Sequence, residues 1–317
     1  KLSLLILAAS IGLLVLVPFI GTESGGATRW LDFGFVSFQP SEIAKFALIL
    51  MFAHLIALYG ERMKTFRYGF LPFFGILGLI CVLVIAEKHV SATIIICLIA
   101  FIMMFVGGTK FRYFAVIGGA AAAAIGALVL FSSKFAYAMD RVHGWLDPFN
   151  PPEGVDTWQT VQSLYAIGSG QLLGVGIGQS RQKYLYIPEP QNDFVFAVVC
   201  EELGFIGCTA IIVLLLVYLL RVLYIASKAR DDLGRCMCFG FFGLIALQSV
   251  SNIGMCLALL PVMGVTLPFF SAGGSSAVCL YLGFGLIQSV YMHRPDANVP
   301  HLRSTRTLKM NFRKLNA

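Results

Sequence analysis

Asp193 stands where the polar stretch Pro188-Glu189-Pro190-Gln191-Asn192-Asp193 gives way to an apolar run over 194–226. An ionisable side chain at the mouth of a membrane segment is costly to place, and its default reading is functional. Glu201 and Glu202 follow about two helical turns deeper in the same run. Three acids entering one membrane helix from the same end suggest a site. For Asp193 the bland alternative is a helix N-cap, which would tolerate Asp193→Asn with turnover retained.

Other side chains could bind what such a site acts on. Arg29 and Trp30 precede Gln39-Pro40-Ser41-Glu42 and Lys45. Pro40 suits the first turn of a helix, which makes Glu42 and Lys45 i,i+3 neighbours. A structural ion pair and a phosphate-holding pair with Arg29 are equally open. Ser271-Ala272-Gly273-Gly274-Ser275-Ser276 opens the last apolar run. A helix N-terminus attracts anions there, although small residues also serve close helix packing. His143 reads as a loop residue, and the basic residues of Ser180-Arg181-Gln182-Lys183 are ambiguous. Gly168, Gly170, Gly174, Gly176 and Gly178 do not have GxGxxG spacing. They read as a turning loop, with a backbone phosphate cradle the weaker hypothesis.

The elements that must position these groups are membrane helices. Hydrophobic residues are 58% and charged residues 12% of the 317, with a mean hydropathy of +0.83. Soluble domains carry roughly a quarter charged residues. At about 20 apolar residues per span, the candidates are 2–20, 43–59, 70–86, 91–106, 113–131, 194–226, 238–260 and 276–292. Each is expected to be helical, because lipid offers backbone groups no partner. The reading is an all-α polytopic bundle of about eight spans. It divides into five spans over 1–131, a large loop over 132–192, three spans over 193–292 and a basic tail over 293–317. The absence of an initiator Met and of a cleavable leader suggests a truncated start.

Of the 23 Lys and Arg, only Arg29, Lys88, Lys134, Arg141, Arg181 and Lys183 fall on the side of the large loop, with Lys45 inside a span. The positive-inside bias therefore puts both chain ends in the cytoplasm. Of the 16 acids, only Glu61, Asp231, Asp232 and Asp296 are on that side, so polar chemistry is expected at the outer face. The net charge of +7 reflects loops facing anionic lipid and does not suggest nucleic-acid binding. The eight cysteines avoid the outer loop and read as small membrane-interior residues, with no disulfide framework or zinc site. The loop over 132–192 carries Trp145, Trp158, Tyr165 and Tyr186, with a short amphipathic helix expected over 157–167. It reads as an ordered cap.

Seven blocks carry a resemblance. They are Gly26-Ala27-Thr28-Arg29-Trp30; Gln39-Pro40-Ser41-Glu42 with Lys45; Trp145-Leu146-Asp147-Pro148-Phe149; and Gln162-Ser163-Leu164 with Ala166-Ile167-Gly168-Ser169-Gly170. With them come Ile187-Pro188-Glu189 with Asn192-Asp193-Phe194; Glu201-Glu202-Leu203-Gly204; and Leu267-Pro268-Phe269 with Ser271 and Gly273-Gly274-Ser275-Ser276. In order and spacing the chain resembles the SEDS proteins of shape, elongation, division and sporulation (FtsW, RodA and SpoVE), and is most similar to the FtsW/SpoVE branch. One departure is Glu87-Lys88-His89-Val90, with Lys88 where the family usually has proline.

The resemblance implies ten spans, with two before Leu2, in the bacterial cytoplasmic membrane. It implies a peptidoglycan glycosyltransferase that polymerises lipid II into a growing glycan strand at the outer face, with Asp193 catalytic. The substrate-binding set is then Arg29, Trp30, Gln39, Ser41, Glu42, Lys45, Lys183, Glu189, Glu201, Ser271, Ser275 and Ser276. For Glu201 and Glu202 a packing network stays as open as a substrate role. Partners would be a class B penicillin-binding protein and other divisome membrane proteins. A divalent cation, Mg or Mn, could assist the departing diphosphate; no organic cofactor is implied. Other classes remain: a lipid-linked sugar flippase, against which stands the lack of an internal repeat, and a divisome scaffold, which would need none of the acids.

Overall fold

The computed structural model describes residues 2–24, 27–32, 37–87, 89–115, 142–184, 186–187 and 190–294. The expected span over 113–131 falls almost entirely outside them, as do Lys88, Arg141, Glu189 and nearly all of the basic tail.

Helix α1 (Leu2–Ile20) leads into three short antiparallel strands, β1 (Thr22–Ser24), β2 (Ala27–Asp32) and β3 (Ser37–Phe38). Thr22 faces Trp30, and Leu31 faces Phe38. This small sheet is an addition to the all-α expectation. A segment between spans can satisfy its backbone by pairing with itself. Its effect is to carry Arg29 and Trp30 back beside Gln39, at the start of α2 (Pro40–Tyr59).

Helix α2 is the axis of the bundle, packed against α1, α5 (Val90–Val106) and α8 (Asp232–Cys256). Phe52, Leu48 and Ile49 are fully enclosed along it. A 3-10 turn (Gly60–Lys64) and α3 (Phe66–Gly69) lead into α4 (Leu71–Ala86). Among the described residues six helical stretches are long and apolar enough to cross a membrane: Leu2–Ile20, Pro40–Lys64, Phe66–Ala86, Val195–Ser227, Asp232–Cys256 and Gly274–Met292. Helix α5 is shorter, at 17 residues, or about 25 Å. The seventh expected span shifts most: it begins at Asp232, where Asp231 caps the helix by accepting from the Gly234 N–H at 2.9 Å, and it ends at Cys256.

The large loop contains α6 (Trp158–Gly170), which ends three residues later than expected. Its buried face, with Thr160, Gln162, Ser163 and Ala166, packs on α7 (Val195–Ser227) and α8. The Ser163 hydroxyl donates to the Cys256 carbonyl at 2.8 Å. Helix α7 is not regular: Gly204 has φ 66° and ψ −168° and breaks it. The segment 171–176 fills the break. Val175 and Gly176 donate to the Glu201 and Glu202 carbonyls at 2.9 and 3.1 Å, while Phe205 and Ile206 donate to Gln171 and Leu172 at 2.8 and 3.2 Å. Irregular backbone at membrane depth is tolerated only where protein re-satisfies it in this way. The close approach needs glycine on both sides: a Cβ on Gly174 would lie 2.1 Å from the Glu202 carbonyl oxygen, and one on Gly204 would lie 2.3 Å from the Gly174 nitrogen. The phosphate-cradle hypothesis is thereby corrected, because the Gly174 and Gly176 N–H groups are spent on protein carbonyls.

Candidate active site

Asp193 lies in the turn entering α7, and that turn is held by neighbours distant in sequence. Asn252 of α8 is fully buried, and its Nδ2 donates to the Asp193 carbonyl at 2.7 Å and to the Val265 carbonyl at 2.6 Å. Both amide hydrogens are thus used to join two backbone segments. The Ser271 hydroxyl donates to the Asn192 carbonyl at 2.6 Å and accepts from the Leu267 N–H at 2.7 Å. The Ala272 N–H donates to the Gln191 carbonyl at 3.0 Å. Gly264 leaves room for the carboxylate: a Cβ there would lie 3.3 Å from Asp193 Oδ2.

Asp193 opens into a cavity of about 250 Å³ that Arg29, Trp30, Gln39, Glu42, Ser275 and Ser276 also line. Its remaining walls are His89, Asn192, Gly264, Thr266 and Gly273. The N-cap residues of α2, α5 and α9 (Gly274–Met292), which are Gln39, His89 and Gly273, all face it, and Asp193 immediately precedes the N-cap of α7. None of these four ends has a side-chain capping bond. Four helix N-termini directed at one small volume favour an anion there.

Hydrogen bonds knit the walls together. The Gln39 N–H donates to Ser275 Oγ at 3.2 Å, and the Ser276 and Thr266 hydroxyls lie 3.1 Å apart. His89 Nδ1 receives Gln39 Nε2 at 3.3 Å and Ser41 Oγ at 3.3 Å, which is the pattern of a neutral ring. Burial, with the positive charges of Arg29 and Lys45, pushes the His89 pKa down to about 3. Lys45 Nζ donates to Glu42 Oε1 at 2.6 Å, with both side chains buried. Glu42 faces the cavity and Lys45 lies behind it. Glu87, at the end of α4, is buried with both carboxyl oxygens lacking a hydrogen-bond partner among the described residues. Burial pushes its pKa up to about 8 against the opposing pull of Arg29.

Lys183, Glu201 and Ser271 are not brought to the cavity wall. Lys183 pairs with Glu202 at 2.7 Å, which holds the ammonium pKa up. Glu201, 2% exposed, accepts from Ser180 Oγ at 2.5 Å and from the Arg181 and Gln182 N–H groups at 3.0 and 3.3 Å. Both acids anchor the loop over 178–183 to α7, which is the packing side of the open alternative. Ser271 acts on the Asp193 turn from behind. Asn252 and His89 were missed by sequence reasoning. The signal for Asn252 was a strong hydrogen-bonding side chain inside an apolar run. Among the described residues no group of three or more His, Cys, Asp or Glu could hold a metal ion.

The family described as "Cell cycle protein", that of FtsW, RodA and SpoVE, matches residues 1–296. This chain belongs to it. The Stage V sporulation protein E of Bacillus subtilis is 38% identical over 277 residues, covering 87% of this chain and 75% of that protein. A probable peptidoglycan glycosyltransferase FtsW of Geobacter sp. (strain M18) is 37% identical over 278 residues, covering 88% and 75%. Among solved structures, one described as the structural coordination of polymerization and crosslinking by a peptidoglycan synthase complex aligns with TM-score 0.76 at 29% identity, over 93% of this chain and 82% of that one. The rod shape determining protein RodA of Thermus thermophilus aligns with TM-score 0.64 at 28% identity, over 93% and 79%. In this chain the Asp193 cavity is formed by residues from four of the seven resembling blocks together with His89, Gly264 and Thr266.

Proposed function

We propose that the chain is a peptidoglycan glycosyltransferase of the cytoplasmic membrane, serving division or sporulation, that joins lipid II units at the outer face. The observation that carries this reading is the convergence of Asp193, Arg29 and four uncapped helix N-termini on one cavity. That combination provides a base beside a seat for an anionic leaving group.

In the proposed reaction Asp193 accepts the proton of the acceptor hydroxyl as its oxygen attacks the anomeric carbon of the donor. A C–O bond forms as the bond from that carbon to the pyrophosphate breaks, and the lipid pyrophosphate leaves with the electron pair. General-base assistance of this kind contributes roughly 10²–10⁴-fold. The leaving diphosphate needs charge stabilisation more than a proton, and Arg29, the helix N-termini and the Ser275 and Ser276 hydroxyls supply it. Lys45 neutralises Glu42 from behind. No step is routed through a metal ion. The polymerase would work beside a class B penicillin-binding protein, a partner supported by the likeness to a peptidoglycan synthase complex.

The test is polymerisation of lipid II by the purified protein in vesicles, with and without that partner and a divalent cation, beside a folded Asp193→Ala variant. Glycan strands from the native chain alone support the reading. Their absence under every condition, with the complex assembled, would move the assignment to a flippase or scaffold.

A further inference from the structure

A second and larger cavity, of about 410 Å³, lies between the large loop and the α8–α9 connection, lined by Trp145, Asp156, Gln159, Thr160, Pro261 and Val262 among others. Its volume is within the range of about 300–1,000 Å³ typical of small-molecule sites. The proposed chemistry at Asp193 makes no use of it. Neighbouring residues of one connection line the two cavities: Pro261 and Val262 line this one, while Gly264 and Thr266 line the other. Val262 and Gly264 are two residues apart, at most about 7 Å along the chain.

The lining points to a ligand class. The Trp145 ring is pinned by its Nε1–H, which donates to the Ala258 carbonyl at 3.0 Å. Asp156 is fixed by accepting from the Trp158 N–H at 2.9 Å through Oδ1. The Gln159 amide and the Thr160 hydroxyl make no side-chain hydrogen bond among the described residues, although Thr160 is only 6% exposed. No lysine or arginine is among the described lining residues, so the site is unsuited to a pyrophosphate. An indole face, an amide, a carboxylate and a hydroxyl together match a neutral pyranose, with its apolar C–H face and its ring of hydroxyl and acetamido groups. Gly144 lets the walls close, because a Cβ there would lie 2.6 Å from Val155 Cγ1.

We infer that this cavity is a saccharide subsite holding a sugar of the already polymerised glycan, next to the bond being made. The inference rests on the polymerase reading for its role, and on the lining alone for its ligand. A polymerase that keeps its product between additions must grip sugars beyond the reacting pair. This subsite therefore sets how long the strand grows before release.

The test uses the full chain in nanodiscs and a soluble probe, the β-1,4-linked tetramer of N-acetylglucosamine, followed by tryptophan fluorescence or saturation-transfer NMR. The native protein and Asp193→Asn should both bind it. Gln159→Leu should bind about tenfold more weakly, the loss of about one well-made hydrogen bond, and Val262→Trp should block it by filling the space. In lipid II polymerisation with the partner transpeptidase, both variants should release strands at least twofold shorter. Tetramer affinity and strand length unchanged in both folded variants would overturn the inference. Tetramer binding sensitive to Gln159, with no polymer from the native chain, would uphold the sugar site and remove the polymerase reading instead.

Discussion

Replacing Asn252 by alanine removes both donors that tie the Asp193 carbonyl to the Val265 carbonyl, at 2.7 and 2.6 Å, from a fully buried position. Two carbonyls are then left short of a partner in a poorly hydrated site. Each such loss costs about 1–3 kcal/mol, so the fold should lose roughly 2–6 kcal/mol less whatever water restores. The larger effect is expected on catalysis. The Asp193 turn and the Gly264 wall are separate segments, and a misplacement of about 1 Å costs on the order of 10²-fold in rate. Lipid II polymerisation by Asn252→Ala should fall by that order in kcat, with a smaller change in KM, because no donor contact to substrate is removed. Asn252→Asp presents oxygens in place of the donating nitrogen and should behave like alanine or worse. Thermal unfolding in detergent separates the two effects. If Asn252→Ala polymerises at the native rate with an unchanged unfolding midpoint, the amide is not what positions Asp193.

Asp193→Asn keeps the shape of the side chain and should lower polymerisation by roughly 10²–10⁴-fold with near-native stability; an N-cap role predicts retained turnover. Gly204→Ala should destabilise strongly, since its Cβ would lie 2.3 Å from the Gly174 nitrogen at φ 66°; a native unfolding midpoint would refute the packed break. Glu201→Gln weakens acceptance from Ser180, Arg181 and Gln182, so hydrogen exchange over 178–183 should rise several-fold, whereas unchanged protection would count against the anchor. The pH dependence has two limbs. Glu87 is raised from 4.5 to about 8, so the folded state binds the extra proton and stability falls as pH rises through that window; His89 is lowered from 6.5 to about 3, so the unfolded state binds it and stability is lost as pH falls through that lower window. Where the windows overlap, between 4.5 and 6.5, the slopes oppose, so unfolding midpoints of the native chain should be flattest there. Glu87→Gln should abolish the alkaline limb, and an unchanged limb would exclude Glu87 as its source.

What could be read from the sequence was whatever one dimension encodes. The apolar runs gave the spans because their length and composition answer to the bilayer alone. Asp193, Gln39 and Ser275 stood out because each sits where an apolar run begins. Asn252 was hidden inside such a run, and its role needs two carbonyls 59 and 13 residues away. The break at Gly204 was equally invisible. Its backbone groups are satisfied by residues 171–176, and only the pairing shows why Gly174 and Gly204 are both glycine. That Glu201 and Lys183 do not line the Asp193 cavity has the same origin. A charged residue near a site looks alike in sequence whether it faces the ligand or holds the loop that shapes it.

The buried Glu42–Lys45 pair shows how structural and ligand-binding roles can coincide. At 2.6 Å, with Lys45 only 2% exposed, the pair makes each charge tolerable where neither would be alone. Yet Glu42 meets the cavity and Lys45 does not. Turned outward alone, Glu42 would oppose a diphosphate; with Lys45 directly behind it, the pair is close to neutral at the wall. The positive potential is then left to Arg29 and the four helix N-termini, which are fixed dipoles needing no reorganisation as charge develops. Helix ends spread around the cavity can then stabilise the departing charge at a distance from the attacking hydroxyl. On this arrangement Lys45→Met, which leaves Glu42 unneutralised, should impair polymerisation more than the double change of Glu42→Gln with Lys45→Met. Equal activity of the two folded variants would show that the pair contributes nothing to the charge seen by the substrate.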